Sequence, residues 1–289
     1  MSAATGAVIG DTGPVSARAT RPSALAWVAA FVRRDWKVAR SYRLQFVLDL
    51  ASIPLALALF YFLSQLIDQG ELPADADLGQ GYFSFAAVGL VVFRMVQTSL
   101  TSFSNKLRSE QTSGTFEALL ASPVSPSVVV LGSATFELLR AAVGGLVTLL
   151  VAIVLGLGMD LTWESLLGVV IGLPALVATF AALGVLVAAF AAIFKQVTAL
   201  LGLVSAALAL LAGVYFPVSI LPGPLRAVAE ILPFTWGVDV MRAALLRGEL
   251  ATDRLALLVA FGVVALPLAL WLFRLSIDHA RRQGTLTQF

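Results

Sequence analysis

The chain contains no cysteine and a single histidine, His279, close to its end. The lack of cysteine excludes disulfides, Cys-rich metal centres and thiolate nucleophiles. The G-x-S-x-G and H-E-x-x-H motifs of hydrolases and zinc proteases are also missing. His279 follows the last apolar run in "IDHARRQ", where a solvated tail residue is expected. We therefore predict a non-catalytic protein that binds no metal and no cofactor of its own.

Charged residues are scarce, at 12% of the chain, whereas a typical soluble domain carries about 25%. Hydrophobic residues make up 59%, and the mean hydropathy is +0.94. Such a chain has too little polar surface to cover itself in water, so a lipid bilayer is the expected solvent. The net charge of +2 is too small to suggest a nucleic acid as partner.

Six apolar segments follow a polar lead, residues 1–21, which lacks the features of a signal peptide and is expected to be disordered. Each segment reaches or approaches the roughly 20 residues that a helix needs to cross a bilayer. The pattern predicts an all-α polytopic membrane protein with six transmembrane helices in residues 46–275. Their predicted bounds are Phe46–Ile67, Tyr82–Ser104, Val128–Gly158, Leu166–Phe194, Thr198–Phe216 and Leu255–Phe273.

The distribution of lysine and arginine predicts the orientation of these helices. With the N-terminus inside, most basic residues fall on the inner side, and the outer loop "DQGELPADAD" has four acidic residues and no basic one. Both termini are therefore predicted to be cytoplasmic, including the tail at residues 276–289. The outer side holds only Arg226, Arg242, Arg247 and Arg254.

Residues 22–45 carry basic and apolar side chains on opposite sides of a predicted helix. At about 100° per residue, Val28 and Phe31 fall on the arc opposite the basic side chains. This pattern is typical of an amphipathic helix that lies in the membrane interface. A plain juxtamembrane anchor is the compatible alternative. The basic residues assigned to this interfacial helix are Arg33, Arg34, Lys37 and Arg40.

The stretch "SNKLRSEQTSGTFEALLASPVSP" lies on the predicted inner side, between the second and third spans. A glycine and a proline bound residues 115–121, which are long enough for about two helical turns. Three apolar residues share one face of such a helix, whereas Glu117 points elsewhere. The residues alone leave two interpretations open: a helix that docks into a soluble partner, and a loop that lies back on the membrane. The apolar residues are Phe116, Leu119 and Leu120.

The stretch "PVSILPGPL", with three prolines and a glycine, precedes moderately apolar sequence that continues to residue 250. We call residues 217–250 the outer segment, because the predicted topology places it outside, between spans five and six. It is too apolar for a free loop and too broken for a span. Two short helices that dip back into the outer leaflet fit it, since irregular backbone there must be covered by protein or reached by water. Two helices on the outer surface are the alternative.

Two of these stretches resemble the type-2 ABC transporter permeases, the membrane subunits of drug, polysaccharide and lipid exporters. The first is "LRSEQTSGTFEALLASPVSP" followed by "VVLGSATFELLR", in which an acidic residue precedes Gly-Thr-hydrophobic-Glu-x-Leu-Leu and a proline turn. The second is "AGVYFPVSILPGPLRAVAEILPFTWGVDVMRAALLRGE", with Pro217, Pro222, Pro233 and Arg242 at matching places. With six spans and the amphipathic helix, the resemblance covers nearly the whole chain beyond residue 22.

The resemblance implies a coupling helix within residues 105–126, which we call the coupling segment, seated in a groove of a separate ATP-binding cassette subunit. That subunit would bind ATP and Mg, and this chain contains no G-x-x-x-x-G-K-[ST] phosphate loop. The resemblance also implies a re-entrant outer segment that guards the exit. The residues implied in ATPase coupling are Arg108, Glu110, Gly114, Thr115, Phe116, Glu117, Leu119 and Leu120, and those at the outer gate are Phe216, Pro217, Pro222, Gly223 and Pro233.

Family members pair as homodimers or as heterodimers of related permeases, so the resemblance implies a dimer here. It further implies export from the cytoplasm of an amphipathic drug, a lipid-linked molecule or a glycan. The composition, with few lysines and many Ala, Leu, Val and Arg residues, favours a high-GC bacterial source and hence the inner membrane.

Three ionisable residues fall inside the predicted spans: Arg94 in the second, and Glu137 and Arg140 in the third. Arg94 and Glu137 each lie about 15 Å above the inner end of their span. We predict that they pair, because an unpaired arginine at that depth costs at least about 2.5–3.5 kcal/mol, and that Arg140 faces the translocation path. Alternatively, span three protrudes into the cytosol and these charges are interfacial. The alternative function is an ion-gradient-driven secondary transporter, which the shortage of further intramembrane acids disfavours.

Overall fold

The computed structural model describes residues 24–41, 43–66, 81–112, 126–193 and 198–283, and every regular element in these ranges is helical. This confirms the predicted all-α class for the described residues. A 3₁₀ turn, Val218–Ile220, and a π-helical turn, Ala243–Arg247, lie in the outer segment. The helices are α1 Ala24–Ser41, α2 Arg43–Leu66, α3 Tyr82–Thr112, α4 Pro126–Val154, α5 Trp163–Ile193, α6 Thr198–Leu211, α7 Gly223–Glu230, α8 Pro233–Arg242 and α9 Thr252–Gln283.

Six of these helices correspond to the six predicted spans, although their ends differ. α6 ends at Leu211, five residues before the predicted Phe216, because the backbone of Gly213 adopts a left-handed φ of 70° that no helix continues. By length and apolar composition, three helices in the described ranges are able to cross a membrane: Tyr82–Thr101, Trp163–Phe190 and Thr252–His279. Shorter apolar stretches lie in α2, α4 and α6, at Ala51–Leu66, Leu138–Val154 and Leu201–Leu211.

Each of these six helices, or the loop next to it, contacts the outer segment or the turn before it at one end. α2, α4 and α6 end there, whereas α3, α5 and α9 begin there, so consecutive helices run in opposite directions. The contacts are a Phe60–Tyr215 ring stack, bonds from Arg242 to Phe85 and from Asp160 to Leu245, a Thr162–Gly248 bond, and an Arg254–Asp239 ion pair.

The core of the bundle forms around α3, which packs against α4, α5 and α8. α5 and α9 pair along their lengths through small residues, and the hydroxyl of Thr179 donates to the carbonyl of Leu258 at 3.2 Å. Small residues let helix backbones approach closely, and this packing stabilises helix pairs in lipid, where no hydrophobic effect draws them together.

The outward faces of the bundle are apolar. On α9, Val263, Val264, Leu268 and Trp271 are between 50% and 68% exposed. A continuous row of large apolar side chains on a surface indicates contact with lipid or with another protein. This exposure agrees with a bilayer as the solvent predicted from composition.

α1 packs against the part of α4 that is farthest from the outer segment. The ring of Phe31 is buried against Gly132, and the ring of Trp36 lies 6.4 Å from that of Phe136, edge to face. Part of the apolar side of α1 therefore meets protein, and the predicted location of this helix in the membrane interface stays a prediction. The predicted range 22–45 also divides, because α2 already begins at Arg43.

Candidate functional site

The outer segment divides into an exposed helix and a buried one. α7 exposes every residue except Ala229, whereas most of α8 is buried and packs against α3, α5 and α9. Prolines mark the start of both helices. The N–H groups in the first turn of a helix have no partner within that helix, so proline, which lacks an N–H, loses no hydrogen bond there. α8 is thus inserted into the bundle while α7 lies on its surface. Entry into a membrane leaflet stays a prediction.

The predicted gate residues lie at the junctions between these short elements. Phe216 and Pro217 precede the 3₁₀ turn, Pro222 and Gly223 begin α7, and Pro233 is the first residue of α8. Their side chains do not form the centre of the site. That place belongs to Arg242, which was assigned to the outer side and matched to the family pattern but was given no role.

The guanidinium of Arg242, at the end of α8, is buried and binds backbone carbonyls of two other elements. Its Nη2 donates to Gly213 at 2.8 Å, to Phe85 at 3.0 Å and to Val214 at 3.3 Å, and its Nε donates to Phe85 at 3.3 Å. The guanidinium carbon also lies 3.4 Å from the centre of the Phe85 ring. Because the planar fork presents several N–H groups in fixed directions, one side chain holds α3, α8 and the turn after α6 together.

Gly89, one turn after Phe85 on α3, makes this arrangement possible. A Cβ at this position would lie 2.6 Å from the carbonyl oxygen of Val214 and 2.9 Å from Nη2 of Arg242. Real Cβ atoms essentially never come so close to other atoms. The close approach of the three elements therefore depends on glycine at this position.

Aromatic rings continue from this site into the bundle. Tyr215 stacks on Phe60 of α2 at 5.5 Å and meets Phe93 of α3 at 6.3 Å, while Phe234 of α8 meets Phe93 at 6.1 Å and Phe180 of α5 at 5.8 Å. Each such pair contributes about 0.5–1.5 kcal/mol beyond the burial of its area. The resemblance implied Phe216 as a gate residue, but its neighbour Tyr215 is the ring that joins α2 to α3.

The far end of the outer segment is fixed to the loop between α4 and α5. The hydroxyl of Thr162 donates to the carbonyl of Gly248, and the N–H of Asp160 donates to the carbonyl of Leu245 at 3.1 Å. The same Thr162 oxygen caps α5 by accepting from the N–H of Ser165 at 3.0 Å. One threonine thus positions both the start of α5 and the end of the outer segment.

The sequence model of the family described as ABC-2 type transporter matches residues 28–246, from α1 to the π-helical turn. The chain belongs to this family. Because it belongs to this family, the chain is the permease, the membrane component of an ABC-type transporter, and it has a multi-pass membrane location. No curated protein sequence matches the chain. The resemblance drawn from the coupling and outer segments is confirmed.

The residues predicted to couple this permease to an ATPase fall mainly outside the described residues. Gly114, Thr115, Phe116, Glu117, Leu119 and Leu120 all lie in 113–125, beyond the end of α3. Arg108 and Glu110 lie in the last turns of α3, where only the backbone is described. α3 extends eight residues past the predicted Ser104, to Thr112, so this helix runs directly into the coupling segment.

The three charges predicted to lie within the membrane occupy different levels of the bundle. Gly145 of α4 packs against Met95 and Val91 of α3, which places Arg94 near the level of Gly144 and about 10 Å along the axis from Glu137. Both terminal nitrogens of Arg94 lie 3.4 Å from the hydroxyl of Ser52 on α2. The side chain of Glu137 is outside the described part, so its pairing with Arg94 stays a prediction. Arg140 is exposed on α4.

The basic residues of α1 keep their predicted exposure. Arg33, Lys37 and Arg40 are exposed, and Arg34 is half-buried with its Nε 2.9 Å from Oδ1 of Asp35. Asp35 is buried, and the sequence analysis did not single it out. The available signal in the sequence was its place four residues after Phe31, on the apolar side of the predicted helix.

Arg242 also had a signal in the sequence, namely its position within the apolar run "VDVMRAALL". An arginine surrounded by large apolar residues seldom lies in solvent, because those neighbours are themselves buried.

Within the described residues, no group of three or more His, Asp or Glu side chains is placed to hold a metal ion.

Proposed function

We propose that this permease is the membrane subunit of an ATP-driven exporter, which moves an amphipathic drug, a lipid-linked molecule or a glycan out of the cytoplasm. Two copies, or one copy and a related permease, form the pathway, and a separate ATP-binding cassette subunit supplies the energy. The observation that carries the proposal is the arrangement of six alternating helices with the outer segment at one end and the coupling segment at the other.

The proposed topology has six crossings, both termini in the cytoplasm and the outer segment re-entrant from the outside. Support comes from α8, which is inserted among α3, α5 and α9, and from the exposed apolar rows on α9. α1 packs against the part of α4 that follows the coupling segment, and its basic residues are exposed there. These contacts support the assignment of this end of the bundle to the inner side. This is the side on which the positive-inside rule places basic residues.

The absence of cysteine makes the topology simple to test. Single cysteines replace Asp75, in the predicted outer loop, and Ser113, in the coupling segment. We expect a membrane-impermeant maleimide to label the first in intact bacterial cells and the second only after the cells are opened. Labelling of both positions in intact cells would contradict the proposed orientation.

The proposed motor is tested by purification of the tagged permease from its own host in mild detergent. We expect an ATP-binding cassette protein to accompany it in a one-to-one ratio and to hydrolyse ATP. A permease that is purified alone from fully solubilised membranes contradicts the proposal. Nothing in the described residues favours an ion-gradient-driven mechanism over this one.

A further inference from the structure

We infer that Arg242 is the positioning residue through which α3 passes movement of the coupling segment to the outer segment. The inference rests on the proposed ATP-driven function and adds the physical connection between its two ends. In this connection α3 is the rigid helix that moves, and α8 and the turn after α6 move with it. The hydrogen bonds of the Arg242 guanidinium to Phe85, Gly213 and Val214, which we call the joint, link these elements.

The first step is the continuity of α3. Its 31 residues, Tyr82–Thr112, span about 46 Å and contain no proline. α2, α5 and α9 each contain an internal proline, at Pro54, Pro174 and Pro267. Proline removes a backbone hydrogen bond and favours a kink, so these three helices transmit a tilt less directly than α3 does.

The second step is the route from the coupling segment to the outer segment. Only α3 and α4 adjoin the coupling segment along the chain. α4 reaches the outer segment through a loop that contains Gly156, whose φ of 100° marks a turn. α3 reaches it directly, because the carbonyl of Phe85 in its first turn accepts from both Nε and Nη2 of Arg242.

The third step is the directional character of the joint. Apolar contacts between helices resist separation, but they have no preferred direction and allow sliding. The guanidinium fork is planar and holds Phe85 on one element and Gly213 on another at fixed angles. A lysine carries the same charge at a single nitrogen, which cannot reproduce this fixed fork. Arg242→Lys therefore weakens the joint while the charge is kept.

The test measures movement of the outer segment in the complex with its ATPase, reconstituted in lipid nanodiscs. Spin labels are attached to cysteines that replace Ile231, at the end of α7, and Leu66, at the end of α2, which are 68% and 83% exposed. Singly labelled samples separate distances within a chain from distances between copies. Distances are recorded without nucleotide and with the ATPase trapped by ADP and vanadate.

The wild-type permease is expected to show a nucleotide-dependent distance change. In Arg242→Lys, we expect ATP hydrolysis within about two-fold of wild type but a loss of most of that change. Arg247→Lys is the matched control, because Arg247 lies in the same segment, its side chain is 33% exposed, and its Nε lies 3.6 Å from the exposed carboxylate of Glu249. This control should retain the full change. If Arg242 has a merely structural role, Arg242→Lys lowers assembly and hydrolysis together, but the complexes that do assemble still show the full distance change, and that retained change overturns the inference.

Gly89→Ala provides a second variant if Arg242→Lys does not assemble. Its Cβ enters the joint itself, between Arg242 and the carbonyl of Val214, whereas Gly144→Ala meets nothing within 4 Å and is the control. A full distance change in either joint variant overturns the inference but leaves the proposed function intact. Absence of any nucleotide-dependent change in an active wild-type complex also overturns the inference. A wild-type permease without an ATPase partner contradicts the proposed function itself.

Discussion

Nη2 of Arg242 lies 2.8 Å from the carbonyl oxygen of Gly213, in the turn that ends α6. The same nitrogen reaches α3 at Phe85, so one buried cation satisfies backbone acceptors where two helix ends meet. The carbonyls of Gly213 and Val214 lie beyond the end of α6 and need such partners in an apolar interior, because an unpaired polar group there costs about 1–3 kcal/mol.

Removal of this side chain is expected to destabilise the permease strongly. Arg242→Ala loses charged hydrogen bonds worth about 1.5–3 kcal/mol each, so we expect a total loss of about 3 kcal/mol or more. For a domain of this size, this lowers the unfolding midpoint by about 6 °C or more. Tryptophan fluorescence during heating in detergent measures it.

Arg226→Ala is the control for this experiment. Arg226 pairs with Glu230 at 2.8 Å, but both side chains are about half exposed. Exposed pairs of this kind contribute less than about 1 kcal/mol. If the two variants shift the midpoint equally, the buried fork does not stabilise the fold as described.

Replacement of Gly248 by any other residue is expected to destabilise the protein. Its φ of 68° lies in the left-handed region, which costs an L-residue about 1–2 kcal/mol, and its Cβ would lie 2.8 Å from Cγ2 of Thr162. Gly248→Ala should therefore lower the unfolding midpoint by several degrees. Gly223→Ala, in open space at the start of α7, should leave it unchanged or raise it. An unchanged midpoint in Gly248→Ala argues against the Thr162 contact.

The exposed basic residues of α1 should affect lipid binding without affecting the fold. The triple variant Arg33→Ala, Lys37→Ala and Arg40→Ala removes up to about 1 kcal/mol of attraction to anionic lipid per residue. We expect an unchanged unfolding midpoint but weaker binding of an α1 peptide to vesicles that contain anionic phospholipid. Equal binding of wild-type and variant peptides to these vesicles would show that the basic face does not contact lipid.

The pairing of Arg94 with Glu137 is tested by charge reversal. Arg94→Glu and Glu137→Arg should each reduce ATPase activity of the assembled complex by about ten-fold, and the double variant should recover most of it, if the two charges are partners. No recovery in the double variant contradicts the pair. A loss in Ser52→Ala as large as that in Arg94→Glu would identify the α2 hydroxyl as the contact that matters.

The sequence predicted the helices well because their signal is local. Apolar runs, prolines at the starts of α7 and α8, and Pro126 at the start of α4 each act through neighbouring residues. The role of Arg242 was missed because its acceptors are distant in the chain: Gly213 lies 29 residues away and Phe85 lies 157 away. A count of charges by loop assigns such an arginine to solvent, although tertiary contacts bury it.

The same reason applies to α1, whose place in the membrane interface stays a prediction. Its amphipathic pattern correctly separates exposed basic residues from an apolar side, but the pattern cannot say whether lipid or protein covers that side. Phe31 meets Gly132 of α4 because that glycine leaves space for a ring, and the two residues are 101 positions apart. Interhelical contacts of this kind depend on the fold as a whole.

The most direct test of the central claim, that a separate ATPase drives this permease through the coupling segment, is a comparison of two charge reversals. Glu117→Arg lies in the coupling segment, and Glu249→Arg lies at the end of the outer segment, where the wild-type side chain is 68% exposed. Copurified ATPase per permease, and its rate of ATP hydrolysis, are measured for both. The account predicts that Glu117→Arg loses the partner or its regulation while Glu249→Arg keeps both. Equal partner content and equal hydrolysis in the two variants would contradict it.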